Sequence, residues 1–452
     1  MTELSARAVA LDCLMAVTEE GQFSHTVLNS AREKYAWMPP EDRAFFGRLV
    51  HGSLEHMLQS DRITDRYSSV RTEKMKPVIR SIFRLSVYQL LQLDRVPVHA
   101  VTNEAVKLTE KRGLRGLKGF VNAVLRKIGA EREALRAELR ESGDLSLKYS
   151  CPEWMISRFT ADFGAGEAEA MLSAFLRPAD FSVRLNRRAL QKSGKVFPPE
   201  EGRERWRQSA LCPEIYVAEG AEETEAFRYI RDGLIFAQDL SSALAVAAAQ
   251  PKPEETVIDL CAAPGGKSLA AADLMDGRGH ILSLDISGRR VALLRENVRR
   301  NGFEAIISAE CGDAAVCREA LCESADLVIA DLPCSGLGVL GRKPDIKLHV
   351  SEESIRKLAV LQRSMLRNAL RYVKPGGRLL FSTCTVTREE NLENRAWLLR
   401  EYPAYVPVDL GDALRQLEGR TGTDTLRDGY LQLLPQHFGC DGFFFSVFQR
   451  KR

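Results

Sequence analysis

From about residue 236 the chain alternates short apolar runs with helical stretches, and no other feature limits its possible folds so strongly. The runs are Thr256-Val-Ile-Asp-Leu260, His280-Ile-Leu-Ser-Leu-Asp285, Ala325-Asp-Leu-Val-Ile-Ala330 and Arg378-Leu-Leu-Phe-Ser382; Val291 to Arg300 and Ser354 to Val373 read as helices between them. Strands buried on both faces have this continuous apolar character. The pattern therefore predicts a doubly wound, largely parallel α/β domain over 236–452. Two later apolar runs, Tyr430 to Leu434 and Phe443 to Phe448, are expected to form an antiparallel pair at one edge.

Ligands of open α/β sheets sit beyond the carboxyl ends of the strands. The first strand runs into Asp259-Leu-Cys261-Ala262-Ala263-Pro264-Gly265-Gly266-Lys267-Ser268. Glycines there let backbone approach a ligand, although an ordinary tight turn also explains such a pair. Asp285 closes the second strand, at the separation from which a carboxylate grips ribose hydroxyls. Asp313, within Cys311-Gly312-Asp313, follows the third and is placed to accept from an adenine amino group. Each aspartate alone could be a turn residue or a cap. Three successive strand ends so equipped point to a nucleoside pocket. The loop is neither G-x-x-x-x-G-K-[ST] nor G-x-G-x-x-G, which disfavours ATPase and dehydrogenase chemistry. An adenosine cofactor without phosphates fits, and S-adenosylmethionine is the common one.

The ten cysteines show no C-x-x-C pair, and Met1 to Val17 lacks the pattern of a secretory signal. No apolar run approaches the length of a membrane span. Reduced thiols in a cytoplasmic protein, with neither disulfides nor a metal, are the expectation. Two of the ten follow strand ends: Asp331-Leu-Pro-Cys334-Ser-Gly336 and Ser382-Thr-Cys384-Thr385. A buried cysteine is ordinarily a small hydrophobe. A pair at the mouth of a cofactor crevice suits one demanding reaction. Carbon 5 of cytosine becomes nucleophilic only after a thiolate adds to carbon 6, and a second group must help expel that thiol after methyl transfer. Asp331 could hydrogen-bond the cytosine amino edge or ring nitrogen as charge develops. These considerations leave the two cysteines interchangeable.

Residues 1–140 read as all-helical, with Leu4, Ala8, Leu11, Leu14 and Val17, and later Val101, Ala105 and Leu108, at helical spacing. Lys107, Lys111, Arg112, Arg115, Lys118, Arg126 and Lys127 crowd the last part of this region. Such a run is a solvated helix face or a phosphate-contacting surface. The net charge of +3 does not decide between them. Residues 141–235, with Cys151-Pro-Glu-Trp154, a strand-like Phe181 to Asn186 and Pro198-Pro199, read as a small mixed α/β module bridging two larger domains.

The segments Asp259 to Ser268, Asp331 to Gly336 and Ser382 to Thr385, with Glu390-Asn391 and Asp441-Gly-Phe-Phe-Phe445, resemble the RsmB/Sun (Fmu) family of bacterial 16S ribosomal RNA cytosine-5 methyltransferases. Ala100 to Val106 and Gly119 to Arg126 make the N-terminal part similar to the RNA-binding factor NusB. Together the resemblances span nearly the whole chain. They imply a Rossmann-like class I methyltransferase domain behind an all-α NusB-like domain, S-adenosylmethionine as cofactor, and a monomer. The implied partner is 16S ribosomal RNA, free or in an assembling small subunit. They further imply that Cys261, Ala262, Ala263, Pro264, Gly265, Gly266, Lys267, Asp285, Asp313 and Asp331 line the cofactor pocket. In the same way Cys384 becomes the nucleophile and Cys334 the residue assisting product release, whereas DNA cytosine methyltransferases attack with the Pro-Cys cysteine. A tRNA cytosine-5 methyltransferase and a non-catalytic NusB-like RNA-binding factor are the rival readings.

Overall fold

The computed structural model describes residues 5–177, 180–219 and 223–452. The chain divides into two compact units: one runs to Arg177 and includes Leu340–Val350, and the other takes Pro178–Val339 and Ser351–Arg452.

The first unit is helical. The helix Pro77–Gln92 is buried on every side from Ser81 to Leu91 and forms its axis. Ala6–Thr18, Pro40–Glu55, Met57–Tyr67, Val98–Lys111 and Lys118–Ala130 pack around it. Their apolar faces recur at helical spacing, as Leu11, Leu14 and Val17 do, and burying those faces is what stabilises helices of this length. Two polar side chains of the central helix are paired across the unit: Arg84 meets Asp61 through two bonds of 2.8 and 2.7 Å, and Gln89 accepts from Arg7 at 2.8 Å. A side chain at Gly52 would begin 2.0 Å from the Tyr88 ring, so the outer helix approaches closely only because that position is glycine. Helices continue past residue 140 as Leu145–Tyr149, Glu153–Phe163 and Ala165–Phe175.

Leu340–Val350 belongs to this helical unit despite its late place in the chain. Asp345 is 2% exposed and accepts from both the backbone N–H (2.9 Å) and the hydroxyl (2.6 Å) of Ser24. Lys347 donates to the carbonyls of Glu55 at 2.7 Å and Ser150 at 2.9 Å. Burial lowers the pKa of that ammonium.

In the second unit, β1 (Ser182–Leu185), β2 (Trp206–Gln208), β3 (Ile215–Ala218) and β4 (Ile235–Ala237) form an antiparallel sheet in the order β2-β3-β1-β4. Residues 141–235 thus contribute helices to the first unit and this sheet to the second. Asn186 anchors the sheet by donating to the carbonyls of Gly233 and Asn301, both at 2.9 Å, and Arg187 pairs with Asp273 at 3.0 Å.

The main sheet comprises β5 (Thr256–Leu260), β6 (His280–Asp285), β7 (Ile307–Cys311), β8 (Ala325–Asp331), β9 (Val373–Thr383), β10 (Tyr405–Pro407), β11 (Tyr430–Leu433) and β12 (Phe443–Arg450). Its order is β10-β12-β9-β8-β5-β6-β7, with β11 also on β12. Strands β5 to β9 are parallel and the doubly wound expectation holds. Leu366, Ala369 and Leu370 of the helix Glu352–Tyr372 cover one face, against Ile258, Val328 and Phe381. Ala243, Leu244 and Leu269 cover the other, against Val257, Leu327 and Leu380.

The strand β12 lies where the apolar runs placed it. It pairs antiparallel with β11 as expected, and its other side pairs antiparallel with β9, so β11 and β12 close one edge of the sheet. Phe443 to Phe448 are all buried, which suits an interior strand. The outermost position is shared by β11 and β10, the latter three residues ending in Pro407, a residue tolerated there because it cannot donate to a neighbour. Among the described residues no helix is long and apolar enough to cross a membrane.

Candidate active site

The carboxyl ends of β5, β6, β7, β8 and β9 share one edge of the sheet. Leu260 pairs with Ala330, Asp285 with Cys311, and Asp331 with Ser382. Beyond β5 the chain turns through Cys261 at φ +62° and Gly265 at φ +111°, then enters the helix Gly266–Leu274. A side chain at Gly265 would begin 2.6 Å from Leu294, so glycine is required there by space as well as by backbone angle.

This turn borders a cleft of about 210 Å³ lined by Asp259, residues 261–264, Gly266, Lys267 and Asp331, with Gln238 and Asp239 opposite. Asp259 is fully buried, and one of its oxygens accepts from Ser268 at 2.5 Å. Its other oxygen, Oδ1, is buried with no hydrogen-bond partner among the described residues. Burial pushes this carboxyl up to about 7, and the charges of Asp331 and Asp285 act in the same direction. Burial and the same acids hold the Cys261 thiol up at about 12, so it stays protonated and unreactive.

Lys267 reaches Asp331 at 2.8 Å and lies 5.0 Å from the centre of the Phe443 ring. The other oxygen of Asp331 accepts from Ser382 at 2.7 Å, so one carboxylate ties together the loops after β5, β8 and β9. Just beyond it, the sulfurs of Cys334 and Cys384 stand 3.3 Å apart, each thiol partly buried. The two loops are laced by Leu332 N–H to the Ser382 carbonyl (3.0 Å) and Gly338 N–H to the Cys384 carbonyl (3.2 Å). The hydrogen bond with Cys384 pushes the Cys334 thiol well above its ordinary value, and burial and the charges of Cys384 and Glu390 add to this.

Asp285 and Asp313 lie at the neighbouring strand ends, outside the lining of that cleft. Asp285 is 1% exposed, accepts from the N–H groups of Ala263 (3.3 Å) and Ser287 (3.1 Å), and pairs with Arg290 at 3.3 Å. Asp313 accepts from Ala315 N–H at 2.8 Å, a local turn. Beside these acids, Ile286 is 69% and Val316 60% exposed, apolar surface suited to a flat heterocycle. Sequence reasoning missed both; the available signal for Ile286 was its place immediately after the strand-end acid Asp285, whereas Val316 stands three residues beyond Asp313. It also missed Asp259 as a buried, unsatisfied acceptor. Away from this edge, Cys317, Glu319 and Cys322 bring their ligand atoms within 4.8 Å of one another, a grouping that scattered spacing concealed. Glu319 there is paired with Arg371 at 2.7 Å.

Residues 246–449 match the family described as 16S rRNA methyltransferase RsmB/F, and residues 4–130 match the NusB family. Over 457 aligned positions covering 100% of both chains, the sequence is 33% identical to the probable ribosomal RNA small subunit methyltransferase B of Bacillus subtilis. The chain belongs to the RsmB/F family of 16S rRNA methyltransferases. The corresponding protein of Synechocystis is 29% identical, with 98% of this chain and 99% of that one covered. The solved structure of PH0851 superposes with a TM-score of 0.77 at 25% identity, over 98% of each chain. A methyltransferase homolog from Pyrococcus horikoshii shares the fold at a TM-score of 0.56 and 24% identity, over 68% of this chain and 98% of that one.

S-adenosylmethionine is the cofactor of RsmB/F methyltransferases. Its ammonium, ribose hydroxyls and adenine amine are all donors. The strand ends of this RsmB/F chain present the matching acceptors, and the buried, unpartnered Oδ1 of Asp259 is the clearest of them. The residues present therefore fit the group.

Proposed function

We propose that this chain transfers a methyl group from S-adenosylmethionine to carbon 5 of a cytosine in 16S ribosomal RNA, through a covalent adduct between Cys384 and the base. The observation behind this reading is the 3.3 Å approach of two thiols at the cofactor edge of the sheet.

Of the two sulfurs, the resemblance to the family gives the attack to Cys384, and the Cys334 thiol, pushed up by its contact with Cys384 and by burial, can donate a hydrogen bond to it. Cys384 Sγ adds to carbon 6 of the cytosine, and the ring electrons move toward carbon 5 and the ring nitrogen. Asp331, fixed by Lys267 and Ser382, keeps lone pairs free to accept from the amino edge of the base. The bound cofactor supplies an electrophilic methyl group. Once Cys384 is a thioether it no longer accepts from Cys334 or repels its charge, so the Cys334 thiol becomes more acidic and gives its proton to water. The resulting thiolate takes the proton from carbon 5, the carbon–sulfur bond breaks, and its electron pair returns to Cys384. One proton is released per methyl transferred, as the overall reaction requires.

Asp259, the 261–267 turn, Asp285 and Asp313 would hold the cofactor. RNA contact falls to the NusB-like region, where Lys111, Arg126 and Lys127 are exposed and have no ion-pair partner among the described residues. The names of the full-length relatives favour small-subunit ribosomal RNA over tRNA as the substrate.

Bisulfite sequencing of total RNA from a strain lacking this gene, against the parent, tests the proposal. One cytosine of 16S rRNA protected in the parent should become convertible in the deletion. A change confined to tRNA would transfer the activity to that substrate. Unchanged conversion everywhere would refute cytosine-5 chemistry.

A further inference from the structure

The loops bearing the two thiols are held from behind by a buried polar network. Glu390 is fully buried and its carboxylate accepts four hydrogen bonds. Oε1 takes them from Ser335 N–H at 2.8 Å and the Gln362 amide at 3.1 Å. Oε2 takes them from the Ser335 hydroxyl at 2.5 Å and the Thr387 hydroxyl at 2.6 Å. The Gln362 amide also donates to the Pro333 carbonyl at 2.9 Å. Residues on both sides of Cys334 are thus fixed through one carboxylate and one amide.

The next residue does the same for the other thiol. Asn391, 1% exposed, accepts from the Thr383 hydroxyl at 2.5 Å and donates to the Thr385 carbonyl at 3.0 Å, one residue before and one after Cys384. A bond of 2.8 Å between the hydroxyls of Ser335 and Thr385 closes the network.

We propose that Glu390 and Asn391 are the positioning residues of the thiol pair. Glu390, with Gln362, carries the Cys334 loop, and Asn391 carries the Cys384 loop. Because the two are consecutive, a single peptide sets the distance between the sulfurs. A buried carboxylate suits this role because four donors are aimed at it. No neutral side chain of similar size satisfies all four, and any displacement leaves a buried charge or donor unpaired. Its charge also helps keep Cys334 protonated, since burial beside an anion disfavours a second one.

The inference rests on the cysteine mechanism for its catalytic meaning, but the spacing can be read without catalysis. Diamide oxidises two neighbouring thiols to a disulfide and is itself reduced to the hydrazine, so the rate of the Cys334–Cys384 crosslink, followed by mass spectrometry, reports their approach. Glu390→Gln should slow crosslinking at least tenfold while S-adenosylmethionine affinity stays within a factor of two. In methylation assays the same variant should lose kcat with little change in KM, and Glu390→Asp should recover less than the full rate. If Glu390→Gln does not fold, as judged by thermal melting, Gln362→Met removes the Pro333 and Oε1 contacts, together with the bond its amide oxygen accepts from Asn394 at 2.8 Å, and should show the same effect at smaller amplitude. Crosslinking at the parental rate in the folded variant overturns the proposal. Normal crosslinking dependence on Glu390 with wild-type methylation in Cys384→Ala would instead leave the clamp standing and remove the cysteine mechanism.

Discussion

Ser268 donates to one oxygen of Asp259 at 2.5 Å and leaves the other buried without a partner. An acid with a carboxyl pKa of about 7 in the fold, against about 3.9 in an unfolded chain, binds its proton more tightly when folded. The stability it contributes is therefore complete below about pH 4 and is lost as the pH rises to about 7. In Asp259→Asn the group stays neutral, so the melting temperature should fall less over that interval than in the parent. Thermal melts across the interval measure this, and parallel curves would rule out the shift. A cationic donor on the open oxygen favours the ionised acid, so cofactor affinity should climb toward about pH 7 in the parent and stay level in Asp259→Asn. Calorimetry checks the second part.

The thiols are separable by what each variant traps. Cys384→Ala should abolish methylation and form no adduct, because carbon 5 is never activated. Cys334→Ala should still attack but stall at release, accumulating protein joined to RNA as a slow band on a denaturing gel. Adduct in Cys384→Ala would exchange the roles. Wild-type rates in both variants would exclude thiol catalysis.

Several basic residues of the helical unit are already neutralised locally. Lys107 pairs with Glu104, Arg112 with Asp12, and Lys118 with Glu110. Reversing Lys111, Arg126 and Lys127 to Glu should therefore weaken RNA binding most. It should also flatten the salt dependence, by about 0.7–0.9 in log–log slope for each phosphate no longer neutralised. Filter binding across salt concentrations reads both quantities. An unchanged slope would make the stretch a solvated helix face.

Gly338 has no room for a methyl group: a side chain there would begin 1.9 Å from the Gly442 carbonyl oxygen and 3.0 Å from that of Cys384. Gly338→Ala should cost about 1–3 kcal/mol of stability, the usual range for overpacking. It should also lower methylation by more than the loss of folded protein explains. Denaturant titration beside a rate measurement separates these effects. Parental stability would show that the loop shifts freely.

The parallel strands, and Asp331, Cys334 and Cys384 beyond them, were legible because buried strands and their ends leave a local imprint on sequence. The pairing of β12 with β9 and β10 was not, since it is decided by partners about 60 and 40 residues away rather than by its own apolar run. Asp259 was legible as a strand end but not as an unsatisfied acceptor, because that depends on what fails to reach it. Glu390 and Asn391 were visible as a motif, but their purpose emerges only when Ser335, Gln362 and Thr385 converge on them.

The segment that pins Asp345 onto Ser24 imposes a schedule on the ribosome. The two residues are 321 positions apart, so the helical unit has all its long helices well before it has its last segment. At about 5–20 residues per second, the interval between translating Arg177 and Val350 is roughly 10 to 35 seconds. Throughout it the carbonyls of Glu55 and Ser150 await the ammonium of Lys347. The helical unit is thus finished only after the strand leading to Cys334 has been made, and a truncated product ending before residue 340 would carry that unit incomplete.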